Sequence, residues 1–245
     1  MVSVLVANDS RGASDVVGAI RTGDVRMLER LVTRDPALVR TRFGDGSGGT
    51  LSALHLVSKW PGHFPNGPEI VHLLTGHGAD PDTVCVGWHP ETPLHWAASV
   101  DDFEVADALL DAGADVSRRG GAVVGGTPLD NAVGYGCWQT AHRLVERGAT
   151  VEKLWQAAAL GYAGRTTDLL QPSLTQTAIN EAFWYACRGG QRRTAELLLT
   201  RGADPAFSPS YDGRSSMTIA ATIGSRQQEC VDWLGALTEH TPPLA

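Results

Sequence analysis

Leu74, Leu109 and Leu144 lie 35 residues apart, and each opens nearly the same ending: LTGHGADPD, LLDAGADVS and LVERGATVE. Leu198 opens a further copy, LLTRGADPA. Self-similarity at such a period constrains the fold more than any other feature of the chain. A repeat of this length is one small supersecondary unit that cannot bury its apolar face alone and becomes stable only when stacked on neighbours. The 245 residues therefore read as an array of short units, not as a globule around one centre.

The starts of the units repeat as well. Thr92-Pro93-Leu94-His95 is followed one residue later by Ala97, and Leu51-Ser-Ala-Leu-His55 and Gly-Gly-Thr-Pro-Leu-Asp130 are variants of the same opening. A TPLH-x-A opening with a period of about 33 residues resembles the ankyrin repeat, a turn followed by two helices. The resemblance covers nearly the whole chain. It implies a single all-α domain over 1–245, an ankyrin-repeat solenoid of about seven helix-turn-helix units with short hairpin fingers. The units fall at 14–44, 48–85, 90–121, 125–150, 151–172, 175–207 and 213–237. In the first, AIRTGDVRMLERLV breaks between two helices at Gly23-Asp24. The histidine place is filled by His55 and His95, then by Asp130, Trp155 and Trp184, and the divergent GRSSMTIAATIG unit caps the stack.

Elementary rules account for the pattern. Thr or Ser caps the first helix, Pro is tolerated in its first turn, and Leu with paired Ala packs inward, because helix neighbours lie three or four residues apart. Gly113, Gly148 and Gly202 follow second helices, where a left-handed terminus is commonly required. Three departures stand out. PGHFPNGPE, between Trp60 and Ile70, is too rich in Pro and Gly to continue a helix and predicts a bulging loop. ADVSRRGGAVVGGTPL predicts a long, extended and mobile finger before Thr127. After Ala149 only TVEK intervenes, so the fifth unit has almost no finger.

Charge narrows the partners. Lys plus Arg number 20 against 27 Asp plus Glu, a net charge of −7, with no basic run to offset it, so nucleic acid is not expected. Met1 to Asp9 lacks the basic start of a signal peptide, and no run approaches the roughly 18 apolar residues of a membrane span. Cys85, Cys137, Cys187 and Cys230 form no C-x-x-C pair, which reads as free thiols in a reducing compartment. A cytoplasmic protein without membrane contact, metal or cofactor is expected. GDGSGG and GGAVVGG lack the Lys-Ser/Thr ending of a phosphate loop and read as fingers.

By resemblance, the first helices and the fingers line the partner-binding side. Carrying the repeat positions across gives Arg21 and Thr22, Lys59 and Trp60, Trp96, Ser99 and Val100, Asn131 and Tyr135, Gln156 and Leu160, Tyr185 and Arg188, and Thr222. The candidate binding residues are Lys59, Trp60, Trp96, Ser99, Asn131, Tyr135, Tyr185 and Arg188, because amphipathic aromatics and arginine are what binding hot spots favour. For Trp60 the competing reading is packing beneath the inserted loop. Trp155 and Trp184 read as packing between units. His55 and His95 read as scaffold bonded to neighbouring backbone. Glu91, Asp101, Asp102, Asp130 and Glu181 are carboxylates near that side, but no nucleophile and base pair is legible in the spacing. The function expected is a non-catalytic scaffold that binds a protein or peptide. The alternative is a small-molecule or enzymatic pocket formed by Trp96, Tyr135, Tyr185 and the finger at Arg118 to Gly126.

Overall fold

The computed structural model describes residues 11–46, 48–87, 89–221 and 228–239. Met1 to Asp9 and Thr222 lie outside them. The chain has the all-α ankyrin solenoid fold expected of the repeat, and its contacts cluster into two compact units, 1–149 and 150–245. The division falls at the TVEK connection, where the finger is missing.

In the first unit the inner helices are α1 (Arg11–Thr22), α3 (Ala53–Val57), α5 (Pro93–Ser99) and α7 (Pro128–Tyr135). The outer helices are α2 (Val25–Arg34), α4 (Gly67–Gly76), α6 (Phe103–Asp111) and α8 (Trp138–Glu146). Each inner helix packs on the next inner one and each outer on the next outer one, with pairs joined across the layers. Fully buried Ile20, Leu28, Leu54, Ile70, Leu74, Leu94, Leu109, Leu129 and Leu144 fill the space between layers. The repeated leucines have a second role. After α4, α6 and α8 a glycine turns left-handed, Gly78 at φ 91°, Gly113 at φ 93° and Gly148 at φ 101°. The following alanine then donates back to the leucine carbonyl, Ala114 to Leu109 at 3.0 Å and Ala149 to Leu144 at 2.9 Å. A side chain at that φ is strained, so the GA pair of the repeat is a closure device.

The openings of the repeat are helix caps. In α3 and α5 the Ser52 and Thr92 hydroxyls lie 2.7 and 2.9 Å from the Nδ1 of His55 and His95. The other ring nitrogen of each reaches forward to the next finger, His55 Nε2 to Glu91 O at 3.0 Å and His95 Nε2 to Gly126 O at 3.2 Å. One residue type thus caps its own helix and clamps the next unit. Asp130 performs the capping half, accepting from Thr127 N at 2.7 Å. Fingers are stitched as short β-structure: β1 (Phe43–Gly44) pairs antiparallel with β2 (Thr50–Leu51), and Thr50 bridges to Val86.

The second unit stacks α9 (Leu154–Ala159), α11 (Gln176–Arg188) and α13 (Ser216–Ala221) as inner helices. Behind them lie α10 (Ala163–Leu169), α12 (Arg192–Leu199) and α14 (Gln228–Glu239). Here the register differs from expectation by one residue. Gln156, not Trp155, fills the histidine place of α9, its Oε1 accepting from Glu152 N and Lys153 N at 3.0 Å. Trp155 therefore stands at the leucine place. Gln156 and Leu160 are both buried and belong to the core, not to an open face. In α11 the indole of Trp184 is fully buried and donates from Nε1 to Arg214 O at 2.8 Å, the forward clamp that histidine makes in the first unit.

Candidate functional site

In the first unit, the residue after the histidine place and those four and five beyond it share one side of the inner helices, following helical spacing. They are Leu56, Trp96 and Asn131, then Lys59 and Ser99, then Trp60, Val100 and Tyr135. The structure brings Lys59, Trp60, Trp96, Ser99 and Tyr135 together around three hollows. One of 580 Å³ is lined by Asp45, Lys59, Val86, Glu91, Trp96 and Tyr135, among others. One of 560 Å³ is lined by Lys59, Trp60, Ser99, Val100, Trp96 and Tyr135, among others. The third, also of 580 Å³, is lined by Val17, Arg21, Leu56, Lys59, Trp60, Pro61 and Phe64. Lys59 borders all three.

Trp60 does not pack beneath the inserted loop; it is 80% exposed. The loop itself is pinned away from it. His63 N donates to Asp102 Oδ2 at 2.8 Å, and Asn66 Nδ2 donates to Gly23 O at 2.9 Å. Tyr135 is 52% exposed, and Val86 and Val124 on the fingers are 56% and 90% exposed. Scattered exposed apolar residues are ordinary, but these border or flank one concave region, as binding surfaces do.

Trp96 lies half-buried, edge-on to the His55 ring at a centroid distance of 5.3 Å. Its Nε1–H is buried and meets no acceptor among the described residues. A donor left dry in this way costs about 1–3 kcal/mol. Lys59 is half-buried and forms no ion pair among the described residues. Burial foremost, and then the Arg21 guanidinium, lower its pKa from the usual lysine value, while Asp45 opposes them.

Asn131 is not a groove residue. It is fully buried, and its amide donates to Glu91 Oε1 at 2.6 Å and to Ser99 Oγ at 3.2 Å while accepting from Val123 N at 3.2 Å. Glu91 Oε1 also accepts from Ala122 N at 2.8 Å. Together they tie down the 118–126 finger, which is therefore a fastened wall of the first hollow and not the mobile arm its glycines predict. Gly121 permits the close approach, since a Cβ there would stand 2.6 Å from Asn131 Oδ1.

Tyr185 and Arg188 belong to the second unit and form part of an aromatic cluster. The Tyr185 ring lies 4.9 Å from Trp155 and 5.1 Å from Trp184, and its hydroxyl is hydrogen-bonded to Tyr211. Tyr185 is 8% exposed, and burial raises its pKa. The Arg188 guanidinium sits 5.7 Å from the Trp184 ring centre and 6.0 Å from that of Tyr185. These two residues are integrated into packing.

Four of the candidate carboxylates have structural work. Asp102 caps α6, Asp101 accepts from Thr140 N at 2.8 Å, Asp130 caps α7 and Glu91 fastens the finger. Burial lowers the pKa of His55 to about 4 and also lowers that of His95, so both rings are neutral near pH 7. The Cys85 thiol donates to His89 O at 3.0 Å, and burial raises its pKa, which disfavours the nucleophilic thiolate. Among the described residues no group of His, Cys, Asp and Glu could hold a metal ion, and no helix is long and apolar enough to cross a membrane.

Sequence spacing alone did not find the finger residues Leu51, Cys85, Val86 and Ala122, which close the first hollow. The only available signal was the length of the fingers.

The family described as Ankyrin repeats (3 copies) matches residues 54–153. Over 169 residues the chain is 27% identical to an ankyrin repeat and KH domain-containing protein of Caenorhabditis briggsae, a match that spans 63% of this chain and 6% of that protein. It thus corresponds to a small fraction of that relative's length. The fold is similar to the crystal structure of the human ASB11 ankyrin repeat domain, with a TM-score of 0.52 and 19% identity, covering 94% of this chain and 99% of that one.

Proposed function

We propose, from the premise that this chain is an ankyrin-repeat protein, that it recognises a protein or peptide partner on the inner-helix side of its first unit. Ankyrin repeats are in general scaffolds for protein–protein interaction. The observation that supports this surface is the set of adjoining hollows of 580, 580 and 560 Å³ that share Lys59. A drug-sized ligand fills one pocket of about 300–1,000 Å³. Several in succession suit a longer chain. Lys59, Trp60, Trp96 and Tyr135 make the contacts, Ser99 contributes at the edge, and Asn131 acts from beneath by holding the finger. Exposed aromatics supply large, rigid contact area at low entropic cost.

A second reading is a small molecule in the 580 Å³ hollow at Trp96 and Tyr135. It is favoured by the buried indole N–H that lacks an acceptor among the described residues.

Photo-crosslinking in the source cell tests the reading. A photoreactive residue at position 60 or 135 should capture a discrete protein, and one at the exposed outer-helix position Glu104 should not. Equal capture from all positions, or retention of the partner by a Trp60→Ala/Tyr135→Ala double variant, would place the interface elsewhere.

A further inference from the structure

Resting on the recognition reading above, we infer that the first unit selects an extended peptide in which an acidic side chain, Asp or Glu, is flanked within a few residues on both sides by aromatic or branched aliphatic side chains. Lys59 and the Trp96 Nε1–H would bind the carboxylate between them.

Two donors carry the acidic centre. Lys59 and Trp96 line the same two hollows, and among the described residues neither the Lys59 ammonium nor the buried Trp96 indole N–H has a hydrogen-bond or ion-pair partner. A half-buried cation and a dry N–H are together complementary to a singly charged acceptor with two oxygens, one for each. Arg21 lies near enough to Lys59 to disturb its proton affinity and borders the hollow on its far side, which adds positive potential in a chain of net charge −7. Asp45 and Glu91 also line the first hollow. Their charges penalise a dianionic phosphate more than a carboxylate, because repulsion scales with ligand charge.

The flanking preference comes from the walls. On one side of Lys59 the hollow is bounded by Val17, Leu56, Trp60, Pro61 and Phe64. On the other it is bounded by Leu51, Val86, Trp96 and Tyr135. Each accepts a bulky apolar side chain, with Lys59 between them. The occupant is a peptide and not a free organic acid because a free acid can use only one of these walls.

The test is selection of random 12-residue peptides displayed on phage against the purified full chain, followed by binding of synthetic peptides by titration calorimetry. The wild-type chain should enrich an acidic residue between apolar ones. Replacing that residue by its amide should weaken binding about tenfold or more, as expected when one partner of a part-buried charge pair is removed. Lys59→Gln should weaken the acidic peptide to a similar degree, with little further loss on the amide peptide. Trp96→Phe, which keeps a ring and removes the N–H, should show the same coupling at smaller size. Circular dichroism confirms that each variant is folded.

Enriched peptides without an acidic preference, a carboxylate effect unchanged in Lys59→Gln, a preference for phosphoserine, or full displacement by benzoate at peptide concentrations would each overturn the inference. The first two would leave the recognition reading standing. If no peptide is enriched by the wild type over the Trp60→Ala/Tyr135→Ala variant, both fall.

Discussion

The two units contain the same kinds of aromatic residue and use them in opposite ways. In the second, Tyr185 packs against Trp155 and Trp184, Tyr211 lies edge to face with Trp184, and Arg188 lies over two of the rings. In the first, Trp60 and Tyr135 stand 80% and 52% exposed around open hollows, and Trp96 lies at 85° to the His55 ring. The cause is local. The first unit has long fingers and an inserted loop that build walls around its rings, whereas the second begins on a four-residue connection and its rings fold onto each other. An aromatic at a groove position marks a surface only if no other ring reaches it.

The sharpest test of this contrast is Trp184→Ala, which leaves a large cavity and an unclamped Arg214 carbonyl. It should destabilise the second unit by about 4 kcal/mol, in the range for buried aromatic truncations. Urea titration followed by hydrogen exchange over 150–221 reads it. An effect as small as that of Trp60→Ala would abolish the distinction between packed and open rings.

Acid should separate the units next. Burial lowers the pKa of His55 in the folded chain to about 4 from the ordinary histidine value of 6.5, so the neutral ring is favoured in the folded state. Its contribution is full above about pH 6.5, declines as pH falls through that value, and is lost by about 4. The whole span is on the order of 3 kcal/mol. The corresponding places in the second unit hold Gln156 and Trp184, which do not titrate there. Hydrogen exchange at pH 7.5 and 4.5 should show protection lost around 52–57 and 91–95 while 154–188 keeps its own. His55→Gln should flatten the dependence. Equal acid sensitivity in both units would show that the clamp chemistry does not govern it.

Asn131→Ala should cost about 2 kcal/mol, since it removes the amide bonded to a part-buried carboxylate. It should also release the 118–126 finger, seen as faster exchange at Ala122 and Val123. Unchanged exchange there would mean that Glu91 alone fastens the wall. Smallest is Trp60→Ala, which should shift stability by less than about 0.5 kcal/mol in thermal melts, because the exposed ring has little to lose. A larger loss would return Trp60 to packing.

What the sequence determined by itself was the unit and its closure. Period, Thr-Pro-Leu-His openings and Gly-Ala endings are contacts within one repeat or between adjacent repeats, so spacing alone encodes them, and the His55 and His95 clamps, the helix break at Gly23 and the loop after Trp60 were all legible. The register of the fifth unit was not, because a tryptophan beside a glutamine offers two candidates for one place, and only the Oε1 of Gln156 has the geometry of a cap. Nor could spacing tell Asn131 from Tyr135, or Tyr185 from Trp96. Helical periodicity says which side a residue faces, and on that side a buried latch, a stacked ring and an open ring look alike. The deciding partners, Glu91, Ala122 and Val123 for Asn131, Trp155 and Tyr211 for Tyr185, come from fingers and neighbouring helices whose approach is set by loop geometry. Tertiary structure alone decided which aromatics are surface, because burial belongs to the neighbours and not to the residue.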